Sequence, residues 1–229
     1  MNIKLSPSSL ALFMECPRCF WLEKVKHIPR PSCVFPSLPS GVDRVLKRYF
    51  DEHRAKGTLP EGLKGKFHGR LYGDIKNLKV WRNSMRGLRF RDEETGIMLI
   101  GAIDDLFVTN NNLYAPIDFK TRGFPRNENT HKFYRLQMDL YSFLLKKNAL
   151  PPADFAILIF YHPVSIGDMH ENNNKCSITF CYDTVKLPTN YHEGEKIFME
   201  AIDCLFGDEP EPSEECRWCK WVEKLTLLK

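Results

Sequence analysis

The sequence predicts a mixed α/β fold built around one sheet, and three observations carry that expectation. Residues 88–121 hold three β-rich runs separated by Glu-Thr-Gly and Asn-Asn-Asn turn signals, which reads as an antiparallel meander. Residues 154–164, DFAILIFYHPV, form a continuous apolar run of the kind buried on both faces of a sheet. Amphipathic helical patterns stand before, between and after these runs, so helices and sheet can cover each other's apolar faces.

Each element has its own signal. SPSSLALFMECPRCFWLEKV (6–25) opens on Ser/Pro cap chemistry and sets Leu10, Phe13, Cys16 and Phe20 at helical spacing. The proline-rich PRPSCVFPSLPSG (29–41) predicts a loop. VDRVLKRYFDEHRAKG (42–57) is a basic amphipathic helix with apolar Val42, Val45, Leu46, Tyr49 and Phe50, ended by Gly57. Residues 58–88 show no assignable pattern. After the meander, KFYRLQMDLYSFLLKKN (132–148) is a helix with Phe133, Leu136, Leu140, Phe143 and Leu144 on one face. The apolar run 154–164 is expected as a central strand, and CSITFCYDTVKL (176–187) alternates as another. Residues 190–206 form a last amphipathic helix ahead of a cysteine-bearing tail.

Composition narrows the class. With 43% hydrophobic and 27% charged residues in a chain of 229, an ordinary water-soluble domain is expected, spanning 1–229. The start MNIKLSPSSL has no apolar signal core, and no run reaches a membrane span, so the expected location is the cytoplasm, with no membrane partner. The net charge of +4 is unevenly spread: Arg44–Arg91 holds 14 Lys and Arg against 4 Asp and Glu, leaving the remainder at −6. A one-sided positive surface suits a polyanion such as nucleic acid, while solvated helix faces would give the same count.

Eight cysteines in such a chain argue for thiol or metal chemistry over a disulfide framework. Cys16/Cys19 and Cys216/Cys219 form two CxxC pairs, and two such pairs can complete a tetrahedral metal site; spacing alone favours Zn2+. Cys33, Cys176, Cys181 and Cys204 have no ligand spacing and are expected to pack as small hydrophobes.

The meander carries the chemistry. Asp118 and Lys120 lie at i and i+2 in APIDFKTRG, on one face of a strand, and Asp104 ends the run before it. Two acids brought together in a sheet repel and call for a cation, for which a hard divalent ion with oxygen ligands is the candidate. A lysine beside them can orient water and stabilise charge developing on phosphorus. Asp105, next to Asp104, should face the other way. Asp118 and Lys120 are expected at the mouth of the site.

Gly-x-x-Asp (101–104), Asp-x-Lys (118–120) and Gln-x-x-x-Tyr (137–141), in that order and on these elements, resemble the PD-(D/E)xK nuclease superfamily. The nearest likeness is to its RecB-like branch, which includes the RecB and AddB nuclease domains and CRISPR-associated exonucleases; the Ser-rich start leading into Cys-Pro-Arg is similar to that branch as well. Pro116 stands two residues before Asp118, a loose fit to the family's Pro-Asp pair. The resemblance implies a restriction-endonuclease-like core and a divalent-metal-dependent DNA nuclease. Asp104 and Asp118 would hold Mg2+ or Mn2+, with the Phe119 carbonyl as a further ligand, Lys120 as the catalytic lysine, and Gln137 and Tyr141 facing the site. Another ligand comes from an early helix in that branch, where this chain offers Asp43 or His53. Many RecB-like members carry a [4Fe–4S] cluster on one cysteine before the core and three after; here the division is two and two, which would still hold a cluster, so the resemblance implies a [4Fe–4S] cluster with Zn2+ as the alternative. Either would clasp 1–28 to 207–229. The implied partners are DNA and repair or CRISPR-adaptation proteins. A non-catalytic nucleic-acid-binding subunit on the same fold and a housekeeping metal-binding module are the competing readings; the intact Asp104, Asp118, Lys120 and Gln137 count against the first, and the basic segment Arg44–Arg91 counts against the second.

Overall fold

Pro17 divides the first helical stretch. Its ring removes a backbone donor and pushes the preceding residue out of the helical region, so Cys16 is extended at φ −159°, ψ 102°. The computed structural model, which describes residues 3–31, 37–170 and 175–227, therefore has α1 (Pro7–Glu15) and α2 (Pro17–Val25) meeting at Cys16. Ser6 caps α1 reciprocally with Ser9, at 3.1 and 3.2 Å. Helix α3 (Ser37–Lys56) begins inside the predicted loop, because Pro39 falls in its first turn where no N–H is needed. The loop expectation for 32–36 lies outside the described residues. The unassigned stretch contains strand β2 (Gly69–Leu71) and helix α4 (Ile75–Trp81), whose cap Asp74 accepts from the N–H groups of Lys76 and Asn77.

The predicted meander is split between two sheets. β3 (Leu88–Arg91) and β4 (Met98–Gly101) pair antiparallel, and β1 (Lys4–Leu5) adds in parallel beside β4. The chain then leaves the ladder at Ala102–Asp104. β5 (Asp105–Thr109) and β6 (Tyr114–Thr121) belong instead to a five-stranded sheet ordered β2-β5-β6-β7-β8. A strand run long enough for one element is broken where Gly101 meets α5 (Arg135–Lys147): a Cβ there would stand 2.5 Å from Leu144 Cδ1.

β6 and β7 (Phe155–His170) are parallel, joined by α5 as the crossover, and β8 (Lys175–Pro188) closes the sheet antiparallel to β7. The apolar 154–164 run thus forms an interior strand, as its burial on both faces requires. Alternation sorts the faces. Ala115, Ile117, Phe119, Ile157 and Ile159 pack with Phe50 of α3, whereas Leu106, Leu158 and Phe160 pack with α1, α5 and α6 (Tyr191–Phe206). Phe133 does not join the α5 face. It lies in a 3-10 turn (Thr130–Tyr134) and is 84% exposed, because that turn advances three residues per turn and throws the side chain off the helix stripe. Cys176 and Cys181 are exposed on β8 and do not pack as small hydrophobes, whereas half-buried Cys204 packs against the main core as expected; Cys33 lies outside the described residues. Among the described residues no helix is long and apolar enough to cross a membrane.

Candidate active site

The alternation of β6 explains why a carboxylate and an ammonium sit in an apolar strand. Ile117 and Phe119 turn to the α3 side, and Asp118 and Lys120 turn together toward α5. Asp118 is 3% exposed, so it is buried and not at the mouth of the site as expected. Gln137 Nε2 donates to Asp118 Oδ1 at 3.1 Å and its Oε1 accepts from Lys120 Nζ at 2.9 Å. Gln137 is held in turn by Tyr141, four residues on along α5, whose hydroxyl donates to the Ala102 carbonyl at 2.6 Å. Lys120 also lies over the Tyr134 ring, 4.5 Å from its centre. Burial pushes the Asp118 carboxyl up to about 7, against the pull of Lys120.

Asp104 reaches the same place from the break between the sheets. Its Oδ2 accepts from the Phe119 N–H at 2.9 Å, tying the break to β6. Its Oδ1 faces Lys47 Nζ at 2.8 Å, and the same ammonium holds Asp43 Oδ2 at 2.7 Å. Burial lowers the Lys47 pKa, but Asp104 and Asp43 outweigh it and the net shift is upward. Asp43 is thus brought to the site through Lys47. His53 is not: its Nδ1 pairs with Thr58 at 2.8 Å and its ring packs on Tyr49.

Beneath the site lies a charge network that the sequence reading did not anticipate. Asp105 does face away from Asp104, fully buried, with Arg54 Nη2 at 2.6 and 2.7 Å and Arg82 Nη2 at 2.9 Å. Arg82 also grips both oxygens of Asp51 and donates through Nε to the Asp104 carbonyl at 2.7 Å. The signal was present on α3: Asp43, Lys47, Asp51 and Arg54 recur at helical spacing on one stripe.

The donors suit a hard divalent ion. Asp118 Oδ2 is buried and accepts no hydrogen bond; Lys120 Nζ stands 2.5 Å away without the angles of one. Two carboxylates converging around such an oxygen match the oxygen chemistry of Mg2+ or Mn2+. Beside them opens a pocket of about 710 Å³, with Lys120, Gln137, Tyr141, Phe133, Ser6 and Met14 on its wall.

A second cluster lies at the joint of α1 and α2. Cys16 and Cys19 meet Cys216 and Cys219 at the start of α7 (Arg217–Thr226), with all four sulfurs within 4.8 Å of one another. Sγ–Sγ separations are 3.8 Å for Cys16–Cys219 and 3.6 Å for Cys19–Cys216 and Cys19–Cys219, far beyond a disulfide bond. Burial raises the thiol of Cys16, but backbone N–H groups of Cys19 and Ser213 reverse this and bring it to about 6. Burial pushes Cys19 and Cys219 up, so four thiolates here require a cation. Arg30 Nη2 donates to Cys216 Sγ at 3.2 Å.

The family model described as the PD-(D/E)XK nuclease superfamily matches residues 4–223. No curated protein matches the chain by sequence. Among solved structures the chain is similar to the one titled "Crystal structure of SSO0001", with 13% identity, 97% of this chain and 85% of that chain covered, and a TM-score of 0.43.

Proposed function

Because the chain belongs to the PD-(D/E)XK nuclease superfamily, we propose that it is a divalent-metal-dependent nuclease hydrolysing DNA phosphodiester bonds, an exonuclease of the RecB-like kind. The observation that carries this reading is the convergence of Asp104, Asp118, Lys120 and Gln137 from three separate elements. Asp104 and Asp118 would hold Mg2+ or Mn2+, with the Phe119 carbonyl as a further oxygen donor, while Asp43 serves the site through Lys47, whose ammonium it holds. The ion supplies Lewis acidity at the phosphate and neutralises its charge. Lys120, fixed by Asp118, Gln137 and the Tyr134 ring, presents its ammonium to charge developing on the phosphoryl oxygens. Gln137 keeps that ammonium and the Asp118 carboxylate in register, and Tyr141 holds Gln137 against the backbone at Ala102. The open pocket beside Lys120 gives a strand room to approach.

The test is cleavage of end-labelled linear and covalently closed circular DNA, single- and double-stranded, with Mg2+ or Mn2+. Linear DNA should be degraded, EDTA should stop the reaction, and closed circles should survive. Circles cut as fast as linear DNA would make the enzyme an endonuclease. Binding without cleavage under every condition would leave the non-catalytic subunit reading.

For the cysteine centre we propose a single Zn2+ in place of a [4Fe–4S] cluster. A tetrahedron with Zn–S bonds of about 2.3 Å has S–S edges of about 3.8 Å. Three of the six Sγ–Sγ separations are 3.6 to 3.8 Å, close to that edge, and all six lie within 4.8 Å. A cubane gives each thiolate its own iron, which spreads the sulfurs much further apart. Metal analysis of anaerobically purified protein should return about one zinc in a colourless sample. Brown protein with about four irons would overturn the assignment. Cys219→Ser should lower the melting temperature, since the centre closes a loop of about 200 residues, and loop entropy alone is worth roughly 4 to 5 kcal/mol.

A further inference from the structure

We infer that Lys47 is a built-in competitor for the divalent ion, and that its ammonium sets how tightly the carboxylates hold the metal. The inference rests on the nuclease reading above, because it takes Asp104 as a ligand. Asp104 has two oxygens with different duties. Oδ2 is committed to the Phe119 N–H, which leaves Oδ1 for a cation, and Oδ1 is the oxygen that Lys47 Nζ meets at 2.8 Å. The same Nζ lies 2.7 Å from Asp43 Oδ2, so one ammonium neutralises two acids.

A divalent ion bonded to a carboxylate sits at about 2.0 to 2.6 Å from the oxygen. It would share Oδ1 with an ammonium at hydrogen-bond distance, and two cations on one oxygen repel. Lys47 must therefore release Asp104 for the ion to settle. Its flexible four-carbon stem permits the move, and Asp43, one turn back on α3, gives the ammonium somewhere to remain. Lys120 is committed to Asp118 and Gln137, and Arg54 and Arg82 cannot take over the task. Both are committed to Asp105, on the far side of the break. Metal affinity is thus the intrinsic affinity of the carboxylates reduced by the Lys47–Asp104 contact, and nucleic acid, whose phosphates offer Lys47 another anion, would ease metal entry.

The experiment is calorimetric Mn2+ titration of the full chain without nucleic acid, comparing wild type, Lys47→Met and Asp104→Asn. Methionine keeps the length of the stem and removes the charge. Lys47→Met should bind Mn2+ about tenfold more tightly, equivalent to about 1.4 kcal/mol. In EDTA it should melt at a lower temperature than wild type, because Asp43 and Asp104 lose their counter-ion, and Mn2+ should restore the difference. Asp104→Asn should bind at least about tenfold more weakly. Equal or weaker binding by a folded Lys47→Met, with wild type binding normally, overturns the competitor role and makes Lys47 a positioning residue for Asp104. If Lys47→Met does not fold, Lys47→Gln replaces it with the same expected direction. Absence of Mn2+ binding by wild type at Asp104 defeats the metal-dependent reading itself, and the inference with it.

Discussion

Asp118→Asn should abolish divalent-dependent cleavage, by about a thousandfold or more, while making the folded chain more stable above neutral pH. Both effects come from burial. The carboxylate at the end of β6 is closed off from water, its Oδ2 lacks a hydrogen bond, and its pKa is pushed up to about 7 from an ordinary 3.8. The native chain thus holds a proton that the unfolded chain gives up near pH 4, and ionising it costs stability as pH rises. Below the unfolded value the cost is absent. It grows by about 1.4 kcal/mol per pH unit through the window up to the folded value, then stays level. Asparagine has no proton to lose, so the variant should gain on wild type across that window and keep its advantage above it. Urea unfolding in EDTA from about pH 5 to about pH 8 reads the difference directly. A stability difference that does not change with pH would mean the acid is ionised throughout, and undiminished cleavage would remove Asp118 from the metal site. A residue that weakens the fold in order to present an unsatisfied oxygen is the kind of local conflict found at functional sites.

The largest loss of stability is expected from Asp105→Ala. This acid is fully buried, and two guanidinium groups close on it from α3 and from the end of α4. Removing it takes the close carboxylate from Arg54 and leaves Arg82 with Asp51 alone, and breaking a buried charge network in this way typically costs about 3 to 5 kcal/mol. That is a large share of the roughly 5 to 15 kcal/mol that holds a domain together. The denaturant midpoint should fall accordingly with an unchanged slope. Cleavage should fall as well, since Arg82 braces the Asp104 carbonyl and loses half of its own anchorage. The triple variant Asp105→Leu with Arg54→Met and Arg82→Met should recover much of the stability, because the one charge it leaves without a partner is Asp51, which water reaches. A loss below about 1 kcal/mol for Asp105→Ala would mean that water reaches the arginines and that the network braces nothing.

What the sequence disclosed followed from strict periodicities. The period of two in APIDFKT placed Asp118 and Lys120 on one face, and the four-residue step placed Gln137 above Tyr141; the structure has both arrangements. The apolar 154–164 run announced an interior strand because its centre, residues 156–160, holds five consecutive apolar side chains that are all buried. What stayed hidden depends on contacts between distant elements. The break at Ala102–Asp104 is invisible locally, since GIMLIGAIDDLFVT reads as one strand until α5 presses Leu144 and Tyr141 against Gly101. The partition of the cations was equally hidden. Arg54, Arg82 and Lys47 count toward the basic segment 44–91, yet the fold turns them inward onto Asp51, Asp105, Asp43 and Asp104, which thins the positive surface inferred from the count. The helix boundary at Cys16 is missed as well: one helical pattern reads through 6–25, although the proline after Cys16 marks the break the structure has.

The clasp also imposes an order in time. Its two thiol pairs are separated by about 200 positions of chain, and a ribosome adding roughly 5 to 20 residues per second needs roughly 10 to 40 s to travel between them. For that interval Cys16 and Cys19 stand as half a site on a nascent chain, two thiols open to oxidants and stray metals. The sheets, whose strands are all complete by Pro188, can assemble before the second pair appears. A metal held by all four thiols would then arrive last, as the seal on a fold already formed.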